Sequence, residues 1–190
     1  QIILDNLLLE MGADGLAFDT IVASGENGSL PHAIPGSRVV EQGDMITFDF
    51  GAKKKGYCAD MTRTISVGEP KEEMRIIYET VLKAQEECEQ MLRPGISCKA
   101  VDAHARKVID DAGYQGRFGH GLGHAVGIDI HENPRLSQLC EDVLEEGHVV
   151  TVEPGIYVPG LGGVRIENTC VITKDGAKSL VHAQKALLIL

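Results

Sequence analysis

One segment of the chain occurs twice in related form. EQGDMITFDFG, Glu41 to Gly51, returns as EEGHVVTVEPG, Glu145 to Gly155. Asp49 in the first copy stands where Glu153 stands in the second. A repeat of this kind predicts two related half-domains, each of which presents a carboxylate at the same structural place.

Each copy is followed by a second acid ahead of a threonine-bearing strand: Asp60 in ADMTRT and Glu167 in RIENT. Alternate residues of a strand point to opposite faces of its sheet, so Asp49 and Glu153 lie opposite the apolar residues beside them. Those apolar residues are Ile46, Phe48 and Phe50 in the first copy and Val150, Val152 and Pro154 in the second. If both hairpins belong to one sheet, the four acids converge on its other face, where their repulsion requires a counterion. A metal is the simplest one.

The predicted order of elements is β-hairpin, two helices, β-hairpin. The hairpins are expected over Met45 to Val67 and Val149 to Thr173, and a strand precedes them over Phe18 to Ala23. Apolar residues at helical spacing predict a helix over Lys71 to Leu92, and Ser97 can cap a second helix. This order indicates an α+β fold in which helices cover one face of a largely antiparallel sheet.

Length and composition narrow the class of protein. A chain of 190 residues suits one domain that could bury roughly 70% of the surface its unfolded form exposes. Its 18 basic and 28 acidic side chains give a formal charge of -10, which disfavours nucleic acid and anionic membranes as partners. The five cysteines are odd in number and form no CxxC pair, so we expect reduced thiols in the cytoplasm rather than a disulfide framework.

Each acid also has an ordinary structural interpretation. Asp49 alone could be a hairpin-end carboxylate, and Asp60 could pair with Arg63. Glu167 could pair with Arg165. Arg63, however, lies on the strand face opposite Asp60, whereas Arg165 shares the face of Glu167 and could support a metal ligand there. The repeat favours metal ligation for all four acids.

Histidines add further candidates. GHGLGH places His120 and His124 four residues apart, on one face of either a strand or a helix. Histidine is a common ligand of transition metals, so one of the two is a candidate ligand and the other a candidate substrate contact. A packed glycine-rich turn is the alternative. His32 in LPHAIPG and His131 in DIHENP could equally be hydrogen-bonded structural histidines, and Tyr157 could supply a hydroxyl to the same pocket.

The donor set indicates a reaction class. Four carboxylates with one imidazole suit a pair of cations such as Mn²⁺, Co²⁺ or Zn²⁺ better than one tetrahedral zinc. Two metals about 3.5–4 Å apart can hold a hydroxide between them, which makes a nucleophile available at neutral pH. The implied reaction is hydrolysis. The sequence has no GxSxG, GxxxxGK[ST], HExxH or GxGxxG motif, so it lacks the signatures of several other classes.

Taken together, these motifs resemble those of the metal-dependent Xaa-Pro peptidases of the pita-bread fold, peptidase family M24. The group includes prolidase, aminopeptidase P and, more distantly, methionine aminopeptidase. The resemblance covers nearly the whole chain and is carried by LPHAIPG, TFDFG, ADMTRTISVG, GHGLGHAVGIDIHENP, TVEPGIY and GVRIENT. It implies an α+β pita-bread fold with pseudo-two-fold duplicated halves and a curved, mainly antiparallel sheet covered by helices. Residues 1–190 are then expected to form one catalytic domain, truncated at its N-terminus and without a separate N-terminal domain.

The resemblance also implies a role for each candidate residue. The expected metal ligands are Asp49, Asp60, His124, Glu153 and Glu167. Asp49 would bind one metal, and His124 and Glu153 the other. Asp60 and Glu167 would bridge the two metals. Glu153 would also act as the general base.

Other residues are expected to face the substrate. By the same resemblance, His32 and His131 would contact the scissile peptide and stabilise its tetrahedral intermediate or handle the leaving-group proton. His120 would lie near the proline-binding pocket, and Arg165 and Tyr157 would support the metal ligands from within the substrate site.

The expected activity is dinuclear metal-dependent hydrolysis of the bond between an N-terminal residue and proline, in dipeptides or longer peptides. GHGLGH, DIHENP and PGIYVPGLGGVRIEN indicate this proline-directed branch, since a methionine aminopeptidase, the alternative, would more often show CHGIP. A second alternative is a non-catalytic scaffold that binds peptides or proteins, although such relatives usually lose several ligands. The resemblance implies a homodimer for the full-length protein.

Overall fold

Short strands and three helices make up the structure, a computed structural model that describes residues 1–190. The helices are α1 (Ile2–Glu10), α2 (Glu72–Met91) and α3 (Cys98–Asp111), and a 3-10 helix lies at Gly25–Ser29. The strands of the first half are β1 (Gly15–Leu16), β2 (Ile21–Ser24), β3 (Met45–Phe50), β4 (Ala52–Lys54), β5 (Tyr57–Cys58) and β6 (Met61–Ser66). Those of the second half are β7 (Gly123–Ala125), β8 (Glu132–Leu136), β9 (Val149–Val152), β10 (Gly155–Val158), β11 (Gly162–Arg165), β12 (Asn168–Thr173) and β13 (Gly176–Ser179).

The two long helices form where the apolar spacing predicts them. The apolar side chains that α2 buries include Met74, Ile77, Val81, Ala84 and Cys88. The chain leaves α2 before Pro94, and Gly95 then adopts a φ of 82°, a backbone conformation that glycine tolerates best. Ser97 caps α3 as expected, because its hydroxyl oxygen accepts a hydrogen bond from the N–H of Ala100 at 3.3 Å.

The two predicted hairpins form, but they lie in two sheets rather than in one continuous ladder. Strands β3 and β6 belong to a sheet of order β2-β3-β6, and β9 and β12 to a sheet of order β13-β12-β9-β7-β8. The hairpin tips form small sheets of their own, β1-β4-β5 and β10-β11. The strand expected over 18–23 is β2, which begins only at Ile21. All of these strand pairs are antiparallel.

The two sheets meet where β6 runs beside the segment 165–169. The N–H of Glu167 donates to the carbonyl of Thr62 at 3.1 Å, and the hydroxyl of Thr169 donates to the carbonyl of Asp60 at 2.8 Å. These bonds lie next to the second acid of each half. The junction of the halves is therefore also the place where the acids come together.

Arg63 links the two halves on the side of this junction opposite the acids. Its guanidinium donates to the carbonyls of Thr62 at 2.8 Å and Glu167 at 2.5 Å and to Oδ1 of Asn168 at 2.7 Å. Arg63 thus points away from the carboxylate of Asp60, as strand parity predicts, and the alternative Asp60–Arg63 ion pair does not form.

The two hairpins are related without being identical in register. Thr47 pairs with Thr64 across β3 and β6. Thr151, the equivalent of Thr47, pairs across β9 and β12 with Thr169, the equivalent of Thr62. Because the registers differ by an even number of residues, the same side chains stay on the same face in both halves.

The core lies between α2, α3 and the sheet of the second half. It is a cluster of 24 buried apolar residues, among them Ile77, Val101, Ile109, Val150 and Val152. All five cysteines are free in this structure. None of the helices has the length and apolar character that crossing a membrane requires.

Candidate metal centre

The acids of both halves meet in one cavity of about 870 Å³. Ligand atoms of Asp60, His124 and Glu167 lie within 4.8 Å of one another. Asp49 and Glu153 line the same cavity. The structure therefore brings together the five side chains that the sequence analysis assigns to metal ligation.

Strand ends position these side chains. Asp49 lies near the end of β3 and Asp60 immediately before β6. Glu153 immediately follows β9, and Glu167 immediately precedes β12. His124 is the central residue of β7, and Gly123 beside it allows a very close approach to β9, because a Cβ there would lie only 2.0 Å from the carbonyl oxygen of Thr151.

The buried carboxylates repel one another. The exposed fraction is 6% for Asp60 and 1% for Glu167. Burial raises the pKa of Asp60, and the charges of Asp49 and Glu153 raise it further. The pKa of Glu167 is raised by burial and then by the charge of Asp60. The protein alone does not supply enough positive charge to keep this cluster ionised.

Three carboxylate oxygens of the cluster are buried without a hydrogen-bond partner: Oδ1 of Asp49, Oδ1 of Asp60 and Oε1 of Glu167. The second oxygen of Glu167 accepts from the hydroxyl of Thr62 at 2.6 Å. A buried polar atom without a partner costs about 1–3 kcal/mol, so such atoms are rare in folded proteins. Carboxylate oxygens are good ligands for divalent cations. The cluster therefore fits a metal, which would satisfy all three oxygens.

His124 presents the correct nitrogen to these oxygens. Its Nδ1 lies 3.1 Å from the carbonyl of Ala125, while its Nε2 lies 3.6 Å from Asp60 Oδ2 and 3.4 Å from Glu153 Oε1. Burial lowers the pKa of His124 to about 4, so the ring is neutral at neutral pH. Nδ1 then carries the proton that is donated to Ala125, and the lone pair of Nε2 faces the acids. This is the tautomer that ligates a metal, rather than one partner of an ion pair.

Arg165 pairs with Asp49 and not with Glu167, its partner in the structural alternative. Nη2 lies 2.6 Å from Asp49 Oδ2, and Nη1 donates to the hydroxyl of Tyr157 at 2.9 Å. The side chain reaches from β11 in the second half to β3 in the first, a contact that strand parity within one hairpin does not address. Burial by itself would lower the pKa of Arg165, but Tyr157, Asp49 and Glu153 raise it above its usual value. Arg165 is thus a fixed positive charge at one end of the cluster.

His120 and Tyr157 extend this contact. Nε2 of His120 lies 2.7 Å from the hydroxyl of Tyr157, and Nδ1 lies 2.8 Å from the carbonyl of Gly121. Burial lowers the pKa of His120 to about 4 and raises the pKa of Tyr157 to about 12. Both groups are therefore neutral: His120 donates through Nδ1, and Tyr157 donates to Nε2. His120 lines the cavity with both ring nitrogens already in use.

His131 and His32 line the same cavity. The ring of His131 packs edge-on against His124, with ring centroids 4.4 Å apart. Burial, followed by the charge of Arg135, lowers the pKa of His131. Neither His131 nor His32 forms a side-chain hydrogen bond within the chain, so both rings can contact a bound molecule.

Arg135 also lines the cavity, and the sequence analysis missed it. It lies on β8 directly opposite His124 on β7. The side chain is exposed and forms no salt bridge. The β7–β8 pairing shifts register between His124 and Ala125, so the position of Arg135 could not be read from residue spacing. The only nearby signal is the motif DIHENP, which ends one residue earlier.

Comparison with known proteins agrees with this geometry. The model of Metallopeptidase family M24 matches residues 1–174. The Xaa-Pro dipeptidase of Pyrococcus furiosus is 50% identical over 177 residues, which cover 93% of this chain and 51% of that protein. A dipeptidase structure from Pyrococcus horikoshii matches with a TM-score of 0.97 at 48% identity, over 100% of this chain and 53% of that one. The X-Pro aminopeptidase structure from Thermotoga maritima matches with a TM-score of 0.96 at 42% identity, over 100% of this chain and 54% of that one.

These matches confirm the pita-bread fold expected from the sequence. The chain spans about half the length of the curated relatives it matches.

The raised pKa values predict how the metal-free protein responds to pH. The folded state keeps protons on Asp60 and Glu167 that the unfolded state, with carboxyl pKa values near 4, releases. This contribution to stability is fully present below about pH 4 and is lost as pH rises through the folded-state pKa, which for Asp60 is raised to about 9. Thermal unfolding without divalent ions should therefore give a Tm that falls between about pH 5 and pH 9.

Added Mn²⁺ should raise the Tm most at the alkaline end of this range, where the carboxylates are charged. Asp60→Asn is the matched control, and its Tm should fall less steeply with pH. A wild-type Tm that neither falls with pH nor responds to Mn²⁺ would contradict the repulsion described above.

Proposed function

Because the chain belongs to metallopeptidase family M24, we propose that residues 1–190 form the catalytic domain of an enzyme that hydrolyses the bond between an N-terminal residue and proline. The observation that carries this proposal is the set of five ligand-type side chains around three partnerless carboxylate oxygens. The names of the relatives, Xaa-Pro dipeptidase and X-Pro aminopeptidase, support the substrate class.

Two divalent cations are the proposed cofactor, with Mn²⁺ or Co²⁺ favoured and Zn²⁺ as a third candidate. Asp49 would hold one cation, and His124 and Glu153 the other. Asp60 and Glu167 would bridge the pair. When bound, the cations polarise the scissile carbonyl and lower the pKa of the attacking water.

Glu153 is the proposed general base. The hydroxyl of Thr151 donates to its Oε1 at 3.1 Å, and its own N–H donates to the carbonyl of Leu122 at 2.8 Å. Burial raises the pKa of Glu153 to about 8 in the metal-free protein, so its surroundings accommodate a protonated carboxyl group as well as a carboxylate. The carboxylate accepts the proton that water loses on attack and returns it to the proline nitrogen as the carbon–nitrogen bond breaks.

Histidines on the cavity wall contact the substrate. His32 and His131 can donate hydrogen bonds to the peptide group being cleaved, which stabilises the negative charge that develops on its oxygen. His120 contacts the substrate through its ring, because its nitrogens are bonded to Gly121 and Tyr157. Arg165 holds Asp49 through an ion pair, and Tyr157 holds His120 through a hydrogen bond.

The position of Arg135 supports a dipeptide as the preferred substrate. An exposed guanidinium without a salt bridge lies at the wall of the cavity near His131, whereas the other arginine there, Arg165, is paired with Asp49. An Xaa-Pro dipeptide ends in a carboxylate, which a guanidinium binds well. A longer peptide has a neutral amide at that position.

We also propose which partners the protein does not bind, which compartment it occupies and how it assembles. The formal charge of -10 supports a chain that binds neither nucleic acid nor anionic membranes. Free cysteines support a reducing, cytoplasmic environment. Family resemblance supports a homodimer for the full-length protein.

The proposed activity has a direct test. The full-length protein, reconstituted with Mn²⁺ or Co²⁺, should release proline from Xaa-Pro dipeptides. Release of methionine from Met-Ala peptides without proline release would favour a methionine aminopeptidase. No turnover together with no uptake of divalent metal in calorimetry would favour the non-catalytic scaffold.

Substitution of the base separates catalysis from metal binding. Glu153→Gln should retain metal, because the amide keeps one coordinating oxygen, but turnover should fall by at least about 10²-fold once the base is removed. Calorimetry and the dipeptide assay measure the two effects. Glu146→Gln, a substitution of an exposed glutamate on the preceding turn, should behave as wild type. Wild-type rates for Glu153→Gln would refute its role.

Substitution of Arg135 tests the dipeptide preference. Arg135→Gln should raise KM for Xaa-Pro dipeptides about tenfold or more, the usual effect of losing a hydrogen bond to a charged group. The KM for the matching Xaa-Pro amides, which have no carboxylate, should change little. Arg93→Gln, at an exposed arginine remote from the cavity, is the control. Equal effects on the acid and amide substrates would contradict carboxylate binding.

A further inference from the structure

Helix α3 carries an ion pair that the proposed chemistry does not use. Asp102 is fully buried, and Arg106 lies one turn further along the helix. The guanidinium holds the carboxylate through two hydrogen bonds, Nε to Oδ2 at 2.7 Å and Nη2 to Oδ1 at 3.1 Å. A buried ion pair contributes little net stability compared with apolar packing, so the further contacts of this pair are the informative feature.

The further hydrogen bonds of this pair all go to the backbone of the glycine-rich segment 118–122. Oδ1 of Asp102 accepts from the N–H of Leu122 at 3.0 Å. Arg106 donates to the carbonyls of Phe118 at 2.8 Å and His120 at 2.6 Å. Its guanidinium also lies 4.6 Å from the centre of the Phe118 ring. One side-chain pair thus fixes three alternate residues of the segment.

The segment has little else to hold its shape. Residues 118–122 belong to no helix or strand, and β7 begins only at Gly123. Glycines at positions 119 and 121 remove side chains that could restrict the backbone. The bonds from α3 therefore take the place of a regular hydrogen-bond ladder.

The fixed segment reaches the cavity by two routes. The carbonyl of Leu122 accepts from the N–H of Glu153 at 2.8 Å. The ring of His120 is held between Phe118, edge-on at 4.9 Å between ring centres, and the hydroxyl of Tyr157 at 2.7 Å. A displacement of the segment would consequently move both the proposed base and a proposed substrate contact.

We propose that Asp102 and Arg106 are positioning residues for the active site. They hold segment 118–122 so that Glu153 and His120 keep their orientation toward the substrate, without touching substrate or metal themselves. The catalytic part of this inference rests on the proposed function, whereas its structural part does not.

The chain offers a matched control on the same helix. Lys107 and Asp111 form a pair with the same spacing at 2.6 Å, but it is exposed and bonds to no loop. Arg106→Met and Asp102→Asn should lower kcat/KM for Xaa-Pro dipeptides about tenfold to hundredfold, mainly through kcat, as expected for a misplacement near 1 Å. Lys107→Met should stay close to the wild-type value. Mn²⁺ binding measured by calorimetry should be weakened but retained in Arg106→Met and Asp102→Asn, because the displaced Glu153 is itself a proposed ligand, and it should be unchanged in Lys107→Met.

Backbone hydrogen exchange gives a readout that needs no turnover. The amides of Leu122 and Glu153 should exchange faster in Arg106→Met than in wild type or Lys107→Met, while amides of the core strands stay protected. If the wild-type protein proves inactive, the proposed function fails and hydrogen exchange still decides the structural inference. Arg106→Lys, which keeps the charge but loses the forked geometry, should lie between wild type and Arg106→Met and provides the comparison if the methionine variant does not fold.

Two results would overturn the inference. The first is wild-type hydrogen exchange at the amides of Leu122 and Glu153 in Arg106→Met, together with a kcat/KM for Arg106→Met equal to that of Lys107→Met. The second is loss of protection throughout the core together with loss of metal binding, in Arg106→Lys as well, which would show a role in stability alone.

Discussion

Mutual repulsion among buried carboxylates governs what the junction of the two halves can bind. The second acids of the two halves lie at the junction of the sheets, and burial together with neighbouring charge raises the pKa values of Asp60 and Glu167. One oxygen of each has no hydrogen-bond partner. A fold that gathers acids in this way is at its most stable with divalent cations between them, because cations remove the repulsion and the unsatisfied oxygens together. The nucleophile proposed for hydrolysis follows from the same cations.

The groups around the acids give the two halves different tasks. In the first half, Asp49 is tied to the fixed positive charge of Arg165. In the second half, Glu153 is held by the hydroxyl of Thr151 and, through its N–H, by the carbonyl of Leu122. A carboxylate that accepts only a neutral hydroxyl in a buried site, as Glu153 does, can take up a proton. Asp49 and Glu153 thus occupy equivalent positions in the two halves, but their different neighbours make them chemically different.

The directions of several side chains in the acid cluster could be predicted from the sequence of each hairpin. Strand parity correctly predicts that Asp49 faces the acid cluster and that Arg63 points away from it, since both lie within one regular hairpin. Contacts between sheets could not be predicted in this way. Asp49, the partner of Arg165, lies in the other half of the chain, and the position of Arg135 opposite His124 depends on a register shift in β7–β8 that no residue spacing reveals. The bonds from α3 to the glycine-rich segment depend on tertiary packing, so the spacing of GHGLGH gave no sign of them.

Locating bound metal tests directly whether divalent cations bind the acid cluster. Crystals soaked in Mn²⁺ and measured near the manganese absorption edge should show two anomalous peaks within the cluster, with at least one between the carboxylates of Asp60 and Glu167. Those carboxylates supply buried oxygens that have no other partner. Crystals that diffract well but show no anomalous peak at these acids, with their oxygens bonded to ordered water instead, would contradict the claim that cation binding organises this site.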